Sequence, residues 1–132
     1  MESIPDELKP ALQGAIPGTL ATCSAEGEPN ASFITQVYQV DDHHVALSRQ
    51  FFNKTIKNMS ANPQVGIQVS HPESGEDWRL EVRYVRSETE GEFFDGMQMQ
   101  LEAIASTMGM DDVFRLLSAD VCEVISIERL NR

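Results

Sequence analysis

A chain of 132 residues, 41% hydrophobic and 23% charged, is long enough to bury its own core and too apolar to stay disordered, so a single domain over residues 1–132 is expected. Its 21 acidic residues against 10 Lys and Arg give a net charge of −11, which argues against nucleic acid and against an anionic membrane surface as partners, because both are bound by cations that neutralise phosphate. No apolar run reaches the length of a membrane-spanning helix, and Cys23 and Cys122 belong to no paired-cysteine or Cys/His array. With no signal peptide in MESIPDELKP, they are expected to be two reduced, buried thiols of a cytoplasmic protein.

In chain order, Ile4, Leu8 and Leu12 share one helical face, and Pro5, Asp6 and Glu7 suit a first turn. Pro10 limits this helix to a turn or two, and Gly14 with Pro17-Gly18 ends it. TLATCS alternates as a strand does, and AEGEPN turns it. ASFITQVYQV, rich in aromatic and β-branched residues, is predicted as one long strand, and Asp41-Asp42-His43 turns it into the short strand HVALS. These three segments read as a meander.

The period then changes. In FFNKTIKNMSANP, Phe52, Ile56 and Met59 form one helical stripe while Lys54, Lys57, Asn58 and Ala61 fall elsewhere; Asn53 suits the cap and Asn62-Pro63 the stop. QVGIQVS returns to alternation, HPESGED is a polar loop, and WRLEVRYVRSE turns Trp78, Leu80, Val82 and Tyr84 to one face and Arg79, Glu81 and Arg83 to the other. DGMQMQLEAIASTMG is the clearest helix, striped by Met97, Leu101, Ile104 and Met108 and capped by Gly109; ADVCEVISIERL is the closing strand. Six strands, mostly in meander order and with short helices between them, predict an α+β protein on a closed or nearly closed antiparallel barrel.

One stretch departs from the acidic background. From His43 to Pro72 no carboxylate occurs in 30 residues, and Arg49, Lys54 and Lys57 lie within them. On the predicted map a strand ends at Ser48 and a helix begins near Asn53. A helix start offers free N–H groups and the positive end of the dipole, which favour an anion. Lys54 adds a charge, Thr55 and Ser48 add hydroxyls, and Arg49 is suited to a two-pronged grip. A solvated cationic face behind an Asn53 cap explains the same residues without a ligand.

The order of elements, with HVALSRQFFNKTIKNMSANPQVGIQV at its centre, resembles the FMN-binding split barrel of the pyridoxamine 5'-phosphate oxidase-like family from about Ile4 to the final strand. The later portion, from WRLEVRYVRSETEGEFF to VCEVISIERL, is similar to a bacterial branch of flavin-barrel domains found fused to sensory domains. The resemblance implies a six-stranded antiparallel split β-barrel with short flanking helices and FMN as cofactor. It implies that Asn53, Lys54 and Thr55 hold the FMN phosphate with Ser48 and Arg49 assisting, and that the strand Phe33-Ile34-Thr35-Gln36 lies along the isoalloxazine ring. It also implies a homodimer with each flavin in a groove between subunits, and either a flavin-dependent oxidoreductase acting on a small molecule or a non-enzymatic flavin- or haem-binding sensor. The oxidase's Arg-x-Val-Leu-Leu-Lys strand is replaced here by ASFITQVYQV, and its C-terminal Arg and His have no counterpart in VCEVISIERLNR, which argues against pyridoxamine phosphate oxidation.

Other constellations carry less. His43 and His44, adjacent beside Asp41-Asp42, point to opposite faces if extended and make a poor metal pair; a solvated turn explains them. His71 is a candidate axial haem ligand, with a surface-loop histidine as the plainer reading. Met97, Met99, Met108 and Met110 suit helix core or an interface. No general acid or base stands out, as flavin chemistry allows.

Overall fold

The structure, a computed structural model, describes residues 2–13, 18–34, 36–49, 54–107, 109 and 116–130, leaving aside the side chains of Gln13, Lys54, Thr55 and Ile56. A 3-10 helix, Asp6–Gln13, precedes β1 (Gly18–Cys23), β2 (Pro29–Ile34), β3 (Val37–Asp41) and β4 (His44–Arg49). Then follow α1 (Lys54–Ala61), β5 (Gln64–Ser70), β6 (Asp77–Glu88), α2 (Glu92–Thr107) and β7 (Ser118–Arg129). Pro10 does not cut the first helix short: the segment takes the tighter winding for all eight residues.

The sheet has seven strands, not six, in the order β2-β1-β5-β6-β7-β4-β3, every neighbour antiparallel. The extra strand comes from ASFITQVYQV, which is two strands divided at Thr35-Gln36. Composition could not show this, because both halves carry the same β-forming residues and the break is set by their partners: β2 pairs with β1, β3 with β4. The meander is therefore interrupted, and the sheet is open, with β2 and β3 as its margins.

Those two margins are joined by a two-residue link, Thr35-Gln36. Three peptide steps span at most about 11 Å between the Cα atoms of Ile34 and Val37. A flat sheet of seven strands would hold its edges roughly 29 Å apart. The sheet must curl until its edges nearly meet, which gives a split barrel.

The interior is filled from alternating positions. Val45 and Leu47 of β4, Trp78, Leu80 and Val82 of β6, and Cys122 and Val124 of β7 join Ile4, Leu8 and Leu12 of the N-terminal segment and Met59 of α1. Outside, α2 lays Met97 and Leu101 over Ala46, Ala119 and Val121, with Tyr38 packed against them. The α2 stripe is thus Met97, Leu101 and Ala105, while Ile104 is half-buried and Met108 lies outside the described residues. Gly96 makes room for this layer, since a Cβ there would meet the Tyr38 hydroxyl at 3.2 Å. At the end of α2, Gly109 takes φ +68°, the left-handed cap expected of it.

Candidate functional site

The link between the margins places Gln36 where nothing in its sequence neighbourhood explains a buried amide. Only 1% of the residue is exposed. Its Nε2 donates to the Met97 carbonyl at 3.2 Å and to Gln100 Oε1 at 2.6 Å, tying the link to α2. A carbonyl only accepts, so Nε2 must face Met97, and Oε1 is left buried without a donor. The Gln36 carbonyl accepts from the Ser48 amide and the Ser48 hydroxyl, each at 3.3 Å. Ser48 and Gln36, both expected at the site, are therefore in contact. Ile34 turns inward into the core, whereas Phe33 is 84% exposed. The strand foreseen along Phe33-Ile34-Thr35-Gln36 ends at Ile34; Thr35 lies outside the described residues.

After Ser48 and Arg49 the chain enters α1. Its backbone begins at Lys54 and its first turn holds no acid. Asn53 lies outside the described residues, as do the side chains of Lys54 and Thr55. Asn58, expected away from the buried stripe, is 2% exposed and donates to Thr22 Oγ1 at 3.2 Å, pinning α1 to β1. Elsewhere among the described residues the cations face acids: Lys9 meets Asp6 at 2.9 Å, Arg79 meets Glu81 at 3.3 Å and Arg86 meets Glu88 at 2.8 Å. Arg83 meets Glu123 at 3.6 Å and Arg129 meets Glu76 at 3.3 Å. Lys57 is exposed and makes no ion pair among the described residues.

Arg49 was expected to be free to grip an anion, and it is partly engaged instead. It sits opposite Ser118 on β7, with Leu47 opposite Asp120. Arg49 Nε lies 3.5 Å from Asp120 Oδ2, within reach of an ion pair but with no hydrogen bond made by that nitrogen. Asp120 is 3% exposed, and its other oxygen, Oδ1, accepts from the hydroxyls of Ser87 at 2.7 Å and Ser118 at 2.8 Å. With its proton committed to the carboxylate, Ser87 accepts from the Tyr84 hydroxyl. Burial, and then the charge of Asp120, push the Cys122 thiol up to about 12, so this cysteine is no nucleophile at neutral pH. Cys23 is only half-buried.

The histidines are committed to turns. His71 Nδ1 accepts from the amides of Glu73 and Ser74, each at 3.1 Å, which places its proton on Nε2 and leaves neither nitrogen ready for iron. His44 Nδ1 faces the Asp41 carboxylate at 2.9 and 3.1 Å. Burial pushes the Asp41 carboxyl up, but the His43 amide and the His44 ring outweigh it and hold the group below the usual carboxylate range. No group of three metal-ligating side chains occurs among the described residues.

One surface feature had no signal in the sequence. The outer faces of β1, β2, β5 and β6 form a trough of about 520 Å³ with Ala21, Ala31 and Gly66 on its floor and Arg79 and Glu81 at its side. The small floor residues come from three strands that only the sheet order makes neighbours.

An open antiparallel sheet curled on a two-residue link defines a split barrel. The chain belongs to the pyridoxamine 5'-phosphate oxidase family, whose sequence pattern it matches over residues 4–127. It is similar in structure to an FMN-binding protein from Syntrophomonas wolfei subsp. wolfei (TM-score 0.75, 21% identity, 95% of this chain and 86% of that one). It is similar also to HupZ of Group A Streptococcus (0.72, 20%, 96% and 94%). A third similar structure is HutZ, the haem storage protein of Vibrio cholerae (0.63, 18%, 98% and 95%). Comparison with curated proteins gives no match. No helix among the described residues is long and apolar enough to cross a membrane.

Proposed function

We propose that this chain binds FMN and acts as a flavin-dependent oxidoreductase on a small molecule, as a cytoplasmic homodimer with the flavin in a groove between subunits. The observation that carries the reading is the start of α1. In a molecule of net charge −11, its first turn is free of acid, opens with Lys54 and is followed by Lys57, which no carboxylate neutralises among the described residues. Free N–H groups, the helix dipole and the uncompensated charge of Lys57 together favour a doubly negative group. A like reading applies to the link, where the buried Gln36 Oε1 lacks a donor and a ligand N–H would supply one.

In this reading Asn53, Lys54 and Thr55 hold the phosphate with Ser48 and Arg49 beside them, and the strand Phe33-Ile34-Thr35-Gln36 lies along the ring, partly through its backbone groups. Bound FMN supplies the electron transfer; the protein binds it, orients it and keeps water from it. The missing strand cations of the oxidase leave pyridoxamine phosphate out as substrate. A homodimer is supported by the outer sheet face, where Phe33 projects two residues from the trough floor at Ala31. A knob and a hollow on one face become complementary under a two-fold rotation.

A non-enzymatic haem-binding module is the second reading, and one contact favours it. His44, with Nδ1 donating to Asp41, keeps a free lone pair on Nε2, as an iron ligand must. The absorption spectrum of the purified protein, with mass identification of whatever it releases, separates the two. A flavin spectrum bleached by NAD(P)H is the expected result. A Soret band, or protein that stays colourless and binds no added FMN, overturns the proposal.

A further inference from the structure

Resting on the phosphate reading above, we propose that Asp120 is a positioning residue for Arg49, holding the guanidinium so that its two terminal amino groups serve the anion. A carboxylate 3% exposed is costly to keep unless each oxygen is satisfied. Here the two oxygens have separate partners. Oδ1 is taken by the Ser87 and Ser118 hydroxyls, and Ser87 is itself fixed by Tyr84. Oδ2 lies 3.5 Å from Arg49 Nε, facing it as a charge and not through a hydrogen bond. The ion pair meets the guanidinium at Nε rather than at either of its two terminal amino groups. Those two groups are the fork that suits a phosphate.

The arrangement differs from the other arginine pairs among the described residues, in which the carboxylate keeps a quarter or more of its surface exposed. It spans three strands, β4, β6 and β7, and sits at the end of β4 from which the chain departs for α1. Had neutralising Arg49 been its whole role, an exposed carboxylate would have served without burial. A buried acid held by two hydroxyls fixes direction as well as charge.

The test is the ratio of affinities for FMN and riboflavin, measured by titration. The two ligands share the ring and differ in the phosphate, so the ratio isolates the phosphate contribution. Asp120→Asn presents an amide to Arg49 in place of a carboxylate, so that two donors face each other. We expect the ratio to fall at least tenfold, with riboflavin affinity within twofold and Trp78 fluorescence unchanged. Arg49→Lys should lower the ratio similarly, and the double variant should fall little further, because the two substitutions break one device. Ser118→Ala, a milder change that keeps the carboxylate, should lower the ratio severalfold even if Asp120→Asn does not fold. If the wild type prefers FMN but these variants keep or raise that preference, Asp120 does not position Arg49. If the wild type does not prefer FMN, the phosphate reading itself falls, and this inference with it.

Discussion

Ile34 and Val37 stand three residues apart in the chain, yet they mark opposite margins of the sheet: Ile34 ends β2, one edge, and Val37 begins β3, the other. Both are buried. The link between them decides that a seven-stranded open sheet becomes a barrel with one seam, and Gln36 ties that seam to α2. Gln36→Ala removes both amide contacts and leaves a hole beside Met97. It should cost about 1–3 kcal/mol in urea unfolding followed at Trp78. An unchanged midpoint would show that the amide holds nothing.

Lys54 opens the acid-free turn of α1. Lys54→Ala should weaken FMN by about 1–3 kcal/mol, the scale of a charge-assisted contact, and leave riboflavin nearly untouched. Equal FMN affinity in the two proteins would remove Lys54 from the phosphate site.

Phe33 is the most exposed large apolar side chain among the described residues. If it fills the trough of a second copy, Phe33→Asp should shift the protein from dimer to monomer in light scattering at micromolar concentration. A charge forced into an apolar hollow is costly. A dimer that survives the change would place the interface elsewhere.

The two cysteines should react unequally. Cys122 is fully buried with its thiol pushed up to about 12, while Cys23 is half-buried. A thiol reagent at pH 8 should therefore titrate one group in the native protein and the second only after denaturant is added. Two fast thiols, or a Cys23→Ser variant that still reacts quickly, would contradict the buried position of Cys122.

Asp41 carries a sign that can be checked against pH. Its carboxyl is held below the ordinary range by the His43 amide and His44, so the unfolded chain binds the proton more readily than the folded one. The resulting stability is present above the unfolded value of about 3.9 and disappears as pH falls through the lower, folded value. Asp41→Asn should thus be less stable than wild type near neutrality, with the gap closing in that acid window. A gap that widens as the solution is acidified would reverse the assignment.

The sequence by itself determined the elements with strong local periods. Trp78, Leu80 and Val82 alternate inward as their spacing requires, Met97 and Leu101 form the buried stripe of α2, and Gly109 caps it. It also marked the acid-free window, since charge is legible without a fold. Local periods, however, say nothing about partners. ASFITQVYQV reads as one strand because its β-forming residues are continuous, and only the demand that β2 pair with β1 and β3 with β4 divides it. The burial of Gln36 and Asn58 and the meeting of Arg49 with Asp120, 71 positions later, were likewise beyond it. A polar side chain goes inside only when a distant strand supplies its hydrogen bond, and the tertiary structure alone decides which strand that is.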